Sequence, residues 1–270
     1  MAAVRPLHTR MGQPQPGDWL TEHHEPGQTF ARYRAIHPTL PDERRRVLVV
    51  QPLGTLSATQ RQVIELSADY MGRFFQLPIR IASDLPSSLV PPRARRVHPS
   101  WGMPQIHAGY VLDELLGPRL PKDAAAYIAF TASDLWPGEG WNFVFGQASL
   151  RDRVGVWSIY RNGDPAAGPE AFTRALRRTL KTAVHETAHM FSLEHCTAYQ
   201  CVMDGANNLE EADRHPLWLC PECMAKLCWA IHVSPIERYR ALAEFAAAHG
   251  LGREREMFDQ SIRAIEGAPP

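Results

Sequence analysis

The apolar positions change period several times along this chain, and each change marks an element. Val47-Leu48-Val49-Val50 is an unbroken aliphatic run closed by Pro52 and Gly54, which predicts a buried strand. Residues 58–75 then carry Val63, Ile64, Met71, Phe74 and Phe75 at helical spacing. Pro78-Ile79-Arg80-Ile81 reads as a second strand, so the chain opens β-α-β and predicts a parallel pair with a right-handed crossover. Residues 105–116 predict a helix stopped at Gly117-Pro118, and three more strands are expected at 125–131, 141–146 and 154–160. Over 170–191, Phe172, Leu176, Leu180 and Val184 recur every fourth residue, the apolar stripe of a long helix. Arg174, Arg177, Arg178 and Lys181 take its other side, a solvated basic face rather than a polymer contact. Ser234-Pro235-Ile236-Glu237 combines an N-cap serine, a first-turn proline and a glutamate three residues after the serine, which starts a helix reaching Gly250. Residues 253–265 predict a last helix beside it.

Residues 1–44 show no period and are rich in Pro, His and Arg, so they are expected to be an irregular or partly disordered extension. His8, His23, His24 and His37 fall there and are expected on the solvated surface.

Composition narrows the class. The 270 residues are 44% hydrophobic, with 29 basic and 29 acidic side chains, so charge gives no reason to expect nucleic acid or a membrane surface as partner. No apolar run is long enough to cross a bilayer and the start lacks a secretory apolar region, so the cytoplasm is expected. All five cysteines lie between 196 and 228, which points to metal rather than disulfides. No cysteine precedes them in this chain to act as an inhibitory thiolate, although an upstream Asp could play that part.

The chemistry is concentrated at His185-Glu186-Thr187-Ala188-His189, near the end of the long helix. Residues four apart on a helix are rotated by only about 40° and rise about 6 Å, so His185 and His189 can share one zinc ion. Glu186 lies on the flank, able to reach a metal-held water without binding the metal, as a general base must. In a continuous helix His195 would lie about 9 Å beyond His189 and about 240° round the axis, so it joins only if the chain turns back. Zinc-peptidase families with such a third histidine make the turn with a glycine three residues after the second; the matching position here is Ser192, where a left-handed serine costs on the order of 1 kcal/mol more. Tyr160 and Tyr199 are candidate oxyanion donors by sequence proximity alone, with packing the favoured role.

Cys196, Cys201, Cys220 and Cys223 form two pairs that can close a tetrahedral four-thiolate zinc site, structural because it has no open position. Disulfides are the rival reading. Cys228 is left over as a buried thiol, and His215 or His232 could replace one cysteine ligand.

With these residues laid out, the chain resembles the archaemetzincins, a branch of the metzincin zinc peptidases. Their pattern HExxHxxGxxHC, a four-residue gap, CxM and a later CxxC stands here as HETAHMFSLEHC, TAYQ, CVM and CPEC, with Ser192 as the one departure. The resemblance implies an α+β, metzincin-like zincin fold. Its upper part is α/β-like, with a twisted mixed sheet and the active-site helix, above a small zinc-stapled lower subdomain. On that basis residues 1–44 are an extension, 45–250 the catalytic domain with its lower subdomain from about 193, and 251–270 a helical tail. It further implies two zinc ions, one catalytic on His185, His189 and His195 and one structural on the four cysteines, with Glu186 as base and Met203 as the Met-turn beneath the histidines. The expected function is a zinc-dependent metallopeptidase acting on short peptides or exposed chain ends, its partner a peptide or protein substrate paired along an edge strand near 142–147. Two alternatives stand beside it: a zinc-stabilised binding or regulatory protein that keeps the site, and a peptidase using Glu210 or Glu211 as third ligand. Side-chain preference, exo- or endopeptidase action and oligomeric state are not encoded in these motifs.

Overall fold

The computed structural model describes residues 1–149 and 151–267. In chain order the strands are β1 (Val47–Leu53), β2 (Ile79–Ile81), β3 (Arg95–Val97), β4 (Pro104–His107), β5 (Ala124–Thr131), β6 (Asp134–Trp136), β7 (Gly146–Ala148) and β8 (Val154–Ser158). The α-helices are α1 (Trp19–Glu22), α2 (Phe30–Ala35), α3 (Ala58–Phe75), α4 (Ala108–Tyr110), α5 (Pro169–Met190), α6 (Leu209–Arg214), α7 (Pro221–Ile231), α8 (Pro235–Ala248) and α9 (Gly252–Glu266). The chain forms a mixed α/β structure that divides into two compact units. One holds Pro41–Gly72 and Leu77–Met190; the other holds Met1–Leu40, Arg73–Gln76 and the chain from Phe191 on.

The first unit is built on a mixed sheet in the order β2-β1-β5-β8-β7. The first four strands run parallel and β7 lies antiparallel along β8 at the edge. β5 reads AAAYIAFT and is buried at every position, as a strand covered on both faces must be. β1 runs through Pro52 to Leu53, beyond the stop expected at the proline, and pairs with β5 along its whole length. A second sheet, β3-β4-β6, holds three short strands.

Residues 105–116 are not one helix. Pro104–His107 forms β4, because Gln105 and Ile106 pair with Asp134 and Leu135, and helical structure begins only at Ala108, where α4 runs into a π-helical stretch, Val111–Leu116. The strand expected at 141–146 is displaced to 146–148. The carbonyls of Trp141 and Asn142 accept from the Arg96 guanidinium, and Val144 bridges to Leu135, so residues 141–144 are engaged outside the main sheet, and only from Phe145, whose carbonyl accepts from Ser158 N–H, does the chain join β8.

α5 buries Leu176, Leu180, Ala183, Val184 and Ala188, so the stripe of fourth residues is a packing face. Its basic side is only partly solvated: Arg174 is exposed, whereas Arg178 is half-buried and donates to the Asn162 carbonyl.

The second unit gathers both ends of the described chain. Its core includes Val4, Tyr33, Phe74, Phe75, Phe191, Leu193, Met224, Leu227, Leu242 and Phe258. Arg238 is fully buried, stacks over the Phe74 ring at 3.9 Å and donates to the Phe74 carbonyl. α8 packs against α9. Ser234 stands at the α8 N-cap without a side-chain capping bond, and the helix ends at Ala248.

Residues 1–40 belong to this unit rather than forming a separate irregular extension. A 3-10 helix (Ala2–Leu7), α1 and α2 lie in them. Residues 9–11 pair with 198–200: Gln200 N–H donates to the Thr9 carbonyl at 3.0 Å and Met11 N–H to the Ala198 carbonyl at 3.2 Å. That pairing buries His8 edge-on against the Tyr199 ring, so the solvated placement expected for this histidine is wrong. His24 and His37 are exposed, as expected, and His23 stacks on Trp19.

Candidate active site and metal centre

His185 and His189 project from the last turns of α5. Their Nε2 atoms are 3.0 Å apart and the rings meet edge to face. Two zinc–nitrogen bonds of about 2.0–2.1 Å at a tetrahedral angle would place two nitrogens about 3.3 Å apart, so the pair fits one zinc ion. Glu186 sits beside them on the same helix. Burial pushes its carboxyl up to about 7, the range in which a group can both take and return a proton at neutral pH. A cation nearby would act in the opposite direction.

Gly146 of β7 makes room for that carboxylate. A Cβ there would stand 3.3 Å from the Glu186 Cγ and 2.7 Å from the Trp157 ring, so any larger residue forces one of them to move. The edge strand therefore runs close against the candidate base.

α5 ends at Met190, and Ser192 adopts φ 66°, a left-handed turn between the helix and His195. The turn is held by the N-terminal segment. Thr39 N–H donates to Ser192 Oγ at 3.0 Å, and Gln28 Nε2 donates to the Ser192 carbonyl at 3.0 Å. Gln28 Oε1 also accepts from Glu194 N–H at 3.3 Å. Beyond the turn comes His195, which with His185 and His189 makes up a group of side chains that could hold a metal ion. His195 Nδ1 stands 2.9 and 3.1 Å from the two carboxylate oxygens of Glu25.

The sulfur atoms of Cys196, Cys201, Cys220 and Cys223 lie within 4.8 Å of one another, and all four side chains are buried. Cys196 and Cys220 sulfurs are 3.6 Å apart, against roughly 3.8 Å for two thiolates on a tetrahedral zinc with bonds of about 2.3 Å. None of the five cysteines is paired in a disulfide. Cys220 is the N-cap of α7: its sulfur accepts from Cys223 N–H at 3.4 Å, and Cys201 sulfur accepts from Cys220 N–H at 3.2 Å. The thiols of Cys201, Cys220 and Cys223 pull Cys196 far below the usual thiol range. Burial pushes Cys201 up, and the hydrogen bond with Cys196 does the same to Cys223. Without a cation such a cluster supports one thiolate at the expense of the rest, which is the donor set a divalent metal completes.

Met203 is fully buried, and its carbonyl accepts from Cys196 N–H at 2.8 Å. Glu211 is engaged elsewhere, accepting from the N–H groups of Trp19 at 2.8 Å and Asn207 at 2.7 Å, and neither it nor Glu210 joins the histidine group. His232 caps α7 in a left-handed conformation and, like His215, is outside the cysteine group. Tyr199 is a packing residue, buried beneath the Arg10 guanidinium. Tyr160 is exposed. Glu25, Gln28 and Thr39 are the contributors that residue patterns did not single out. Each lies more than 150 residues from its partner in the site, where no local spacing can signal it.

Residues 124–228 match the model of peptidase family M54. The chain is 35% identical to archaemetzincin-2 of Homo sapiens over 85% of its own length and 72% of that protein. With archaemetzincin-1 of Homo sapiens the identity is 27% over 94% of this chain and 56% of that protein. Among solved structures, the archaemetzincin of Archaeoglobus fulgidus complexed with malonate is similar at TM-score 0.52 and 26% identity, covering 67% of this chain and 99% of that one. The archaemetzincin of Methanopyrus kandleri shares the fold at TM-score 0.55 and 24% identity, covering 72% of this chain and 99% of that one.

Proposed function

The chain belongs to the archaemetzincins, zinc metallopeptidases of peptidase family M54, and we propose that it cleaves short peptides or exposed chain ends with Glu186 as general base. One observation carries the reading: His185 and His189 bring their Nε2 atoms to within 3.0 Å of each other on one helix with Glu186 beside them, and with His195 they form a group that could hold a metal ion. His185, His189 and His195 would hold the catalytic zinc, and Cys196, Cys201, Cys220 and Cys223 a second, structural zinc, two ions in all. Met203 would be the Met-turn residue, an apolar floor for the imidazoles.

When bound, catalytic zinc supplies Lewis acidity towards the attacking water and the scissile carbonyl. Glu186 accepts the proton as the water attacks the carbonyl carbon, then returns it to the departing amine nitrogen. β7 is an edge strand with one side unpaired in the sheet order, and it passes against Glu186. An extended peptide adding along that edge would lay its backbone beside the base without demanding particular side chains. No helix among the described residues is long and apolar enough to cross a membrane. Cysteines that hold metal rather than pair in disulfides suit a reducing compartment, and we place the enzyme in the cytoplasm.

The test is Glu186→Gln. A fall in kcat of about 10²–10⁴-fold with zinc content unchanged is expected, the usual worth of general-base catalysis. Surviving turnover would sink this mechanism.

A further inference from the structure

We infer that Glu25 is a positioning residue for the third histidine, fixing the His195 ring so that Nε2 is the nitrogen offered to the metal. The inference rests on the zinc-peptidase reading above. An ionised carboxylate only accepts hydrogen bonds, so the two contacts at 2.9 and 3.1 Å place the imidazole proton on Nδ1 and leave Nε2 as the nitrogen whose lone pair can meet a metal. A metal-binding histidine whose second nitrogen donates to a carboxylate is held in orientation and made more basic.

Glu25 is itself aimed. The Trp19 indole N–H donates to its Oε1 at 3.0 Å. Trp19 is pinned from three sides. Its backbone N–H donates to the buried Glu211 carboxylate at 2.8 Å. Its ring lies so close over Gly205 that a Cβ there would come within 2.5 Å of the indole. His23 stacks on the ring at 3.8 Å, while the His195 ring meets it edge to face at 5.1 Å. An ion pair between Asp18 and Arg214 fastens the start of the segment. Three residues past Glu25, Gln28 brackets the Ser192 turn through its amide oxygen and nitrogen. The same stretch of chain thus sets both the ring and the turn that carries it.

The experiment compares wild type, Glu25→Ala, Glu25→Gln and His195→Ala by zinc titration against a competing chelator, with melting temperatures and long-range ¹H–¹⁵N spectra of the histidine rings. Glu25→Ala should weaken zinc at the histidine site about 10–100-fold and leave the cysteine-held zinc in place. Glu25→Gln should recover part of that loss, because its amide oxygen still accepts from Nδ1–H. The wild-type His195 ring should show the Nδ1–H tautomer with the histidine site metal-free, and Glu25→Ala a mixture. Unchanged zinc affinity in Glu25→Ala while His195→Ala loses zinc would overturn the role of Glu25 alone. So would equal losses in the Gln and Ala variants, or loss of both zinc ions together with the fold. A wild type that binds only the cysteine-site zinc would overturn the three-histidine reading and this inference with it.

Discussion

The two candidate metal groups are built by opposite means. The four thiols are buried, come from one short span of chain, and receive backbone N–H groups from their own loops and from the start of α7. The three imidazoles are only half-buried, and the third depends on a turn and a carboxylate held by residues 18–39, far away in sequence. Closure and burial suit an ion that staples a fold; partial exposure and an open position suit an ion that must meet a substrate. A structural site can be written locally because it needs only its own ligands. A catalytic site has to be oriented, and orientation is borrowed from wherever the fold supplies it.

The largest expected effect breaks the stapling side of this contrast. A structural zinc contributes on the order of 10 kcal/mol to the fold that binds it, so Cys223→Ser should abolish cooperative melting of the second unit. Calorimetry with and without chelator reads this directly. If the variant melts within about 2 °C of wild type, the cysteine group is not a structural site.

A smaller effect concerns the brace on the same loop. Among the described residues neither ring nitrogen of buried His8 has a hydrogen-bond partner, and burial lowers its pKa from 6.5 to about 4. The unfolded chain therefore takes up this proton at a higher pH than the folded chain does. The stability His8 contributes as a neutral ring is full above about pH 6.5 and is lost as pH falls towards 4, up to roughly 3 kcal/mol. Urea titrations across that range should show a steeper decline for wild type than for His8→Phe. Parallel curves would mean that the ring is not held neutral by burial.

The smallest effect sharpens the orienting side. Ser192→Gly removes a left-handed strain of on the order of 1 kcal/mol but deprives Thr39 N–H of its acceptor, worth about 0.5–1.5 kcal/mol. The two should nearly cancel in denaturant midpoints. A clear gain in stability would show that the Thr39 bond contributes little and that the serine is simply strained.

Reading the chain residue by residue went furthest where a period was strong and its partners near. α3, α5, β5 and β8 lie where their apolar patterns put them, because a buried face imposes its own spacing. The need for a turn before His195 also followed from spacing, while its place at Ser192 came from the family pattern, which has glycine there. The pattern misled at Pro104–His107, a strand that exists because β3 and β6 pair with its two sides. It misled again at 141–146, where the Arg96 guanidinium, rather than a neighbouring strand, occupies the carbonyls of Trp141 and Asn142.

The amino-acid order by itself thus pointed to the reaction class and picked out the three histidines, the candidate base and the four thiols, since metal chemistry demands particular side chains at short, regular intervals. The fold alone assigned the places of His8, Glu25, Gln28 and Thr39. Their partners lie on the far side of the chain's length, and a hydrogen bond of about 3 Å spanning such a separation leaves no periodic trace in either segment.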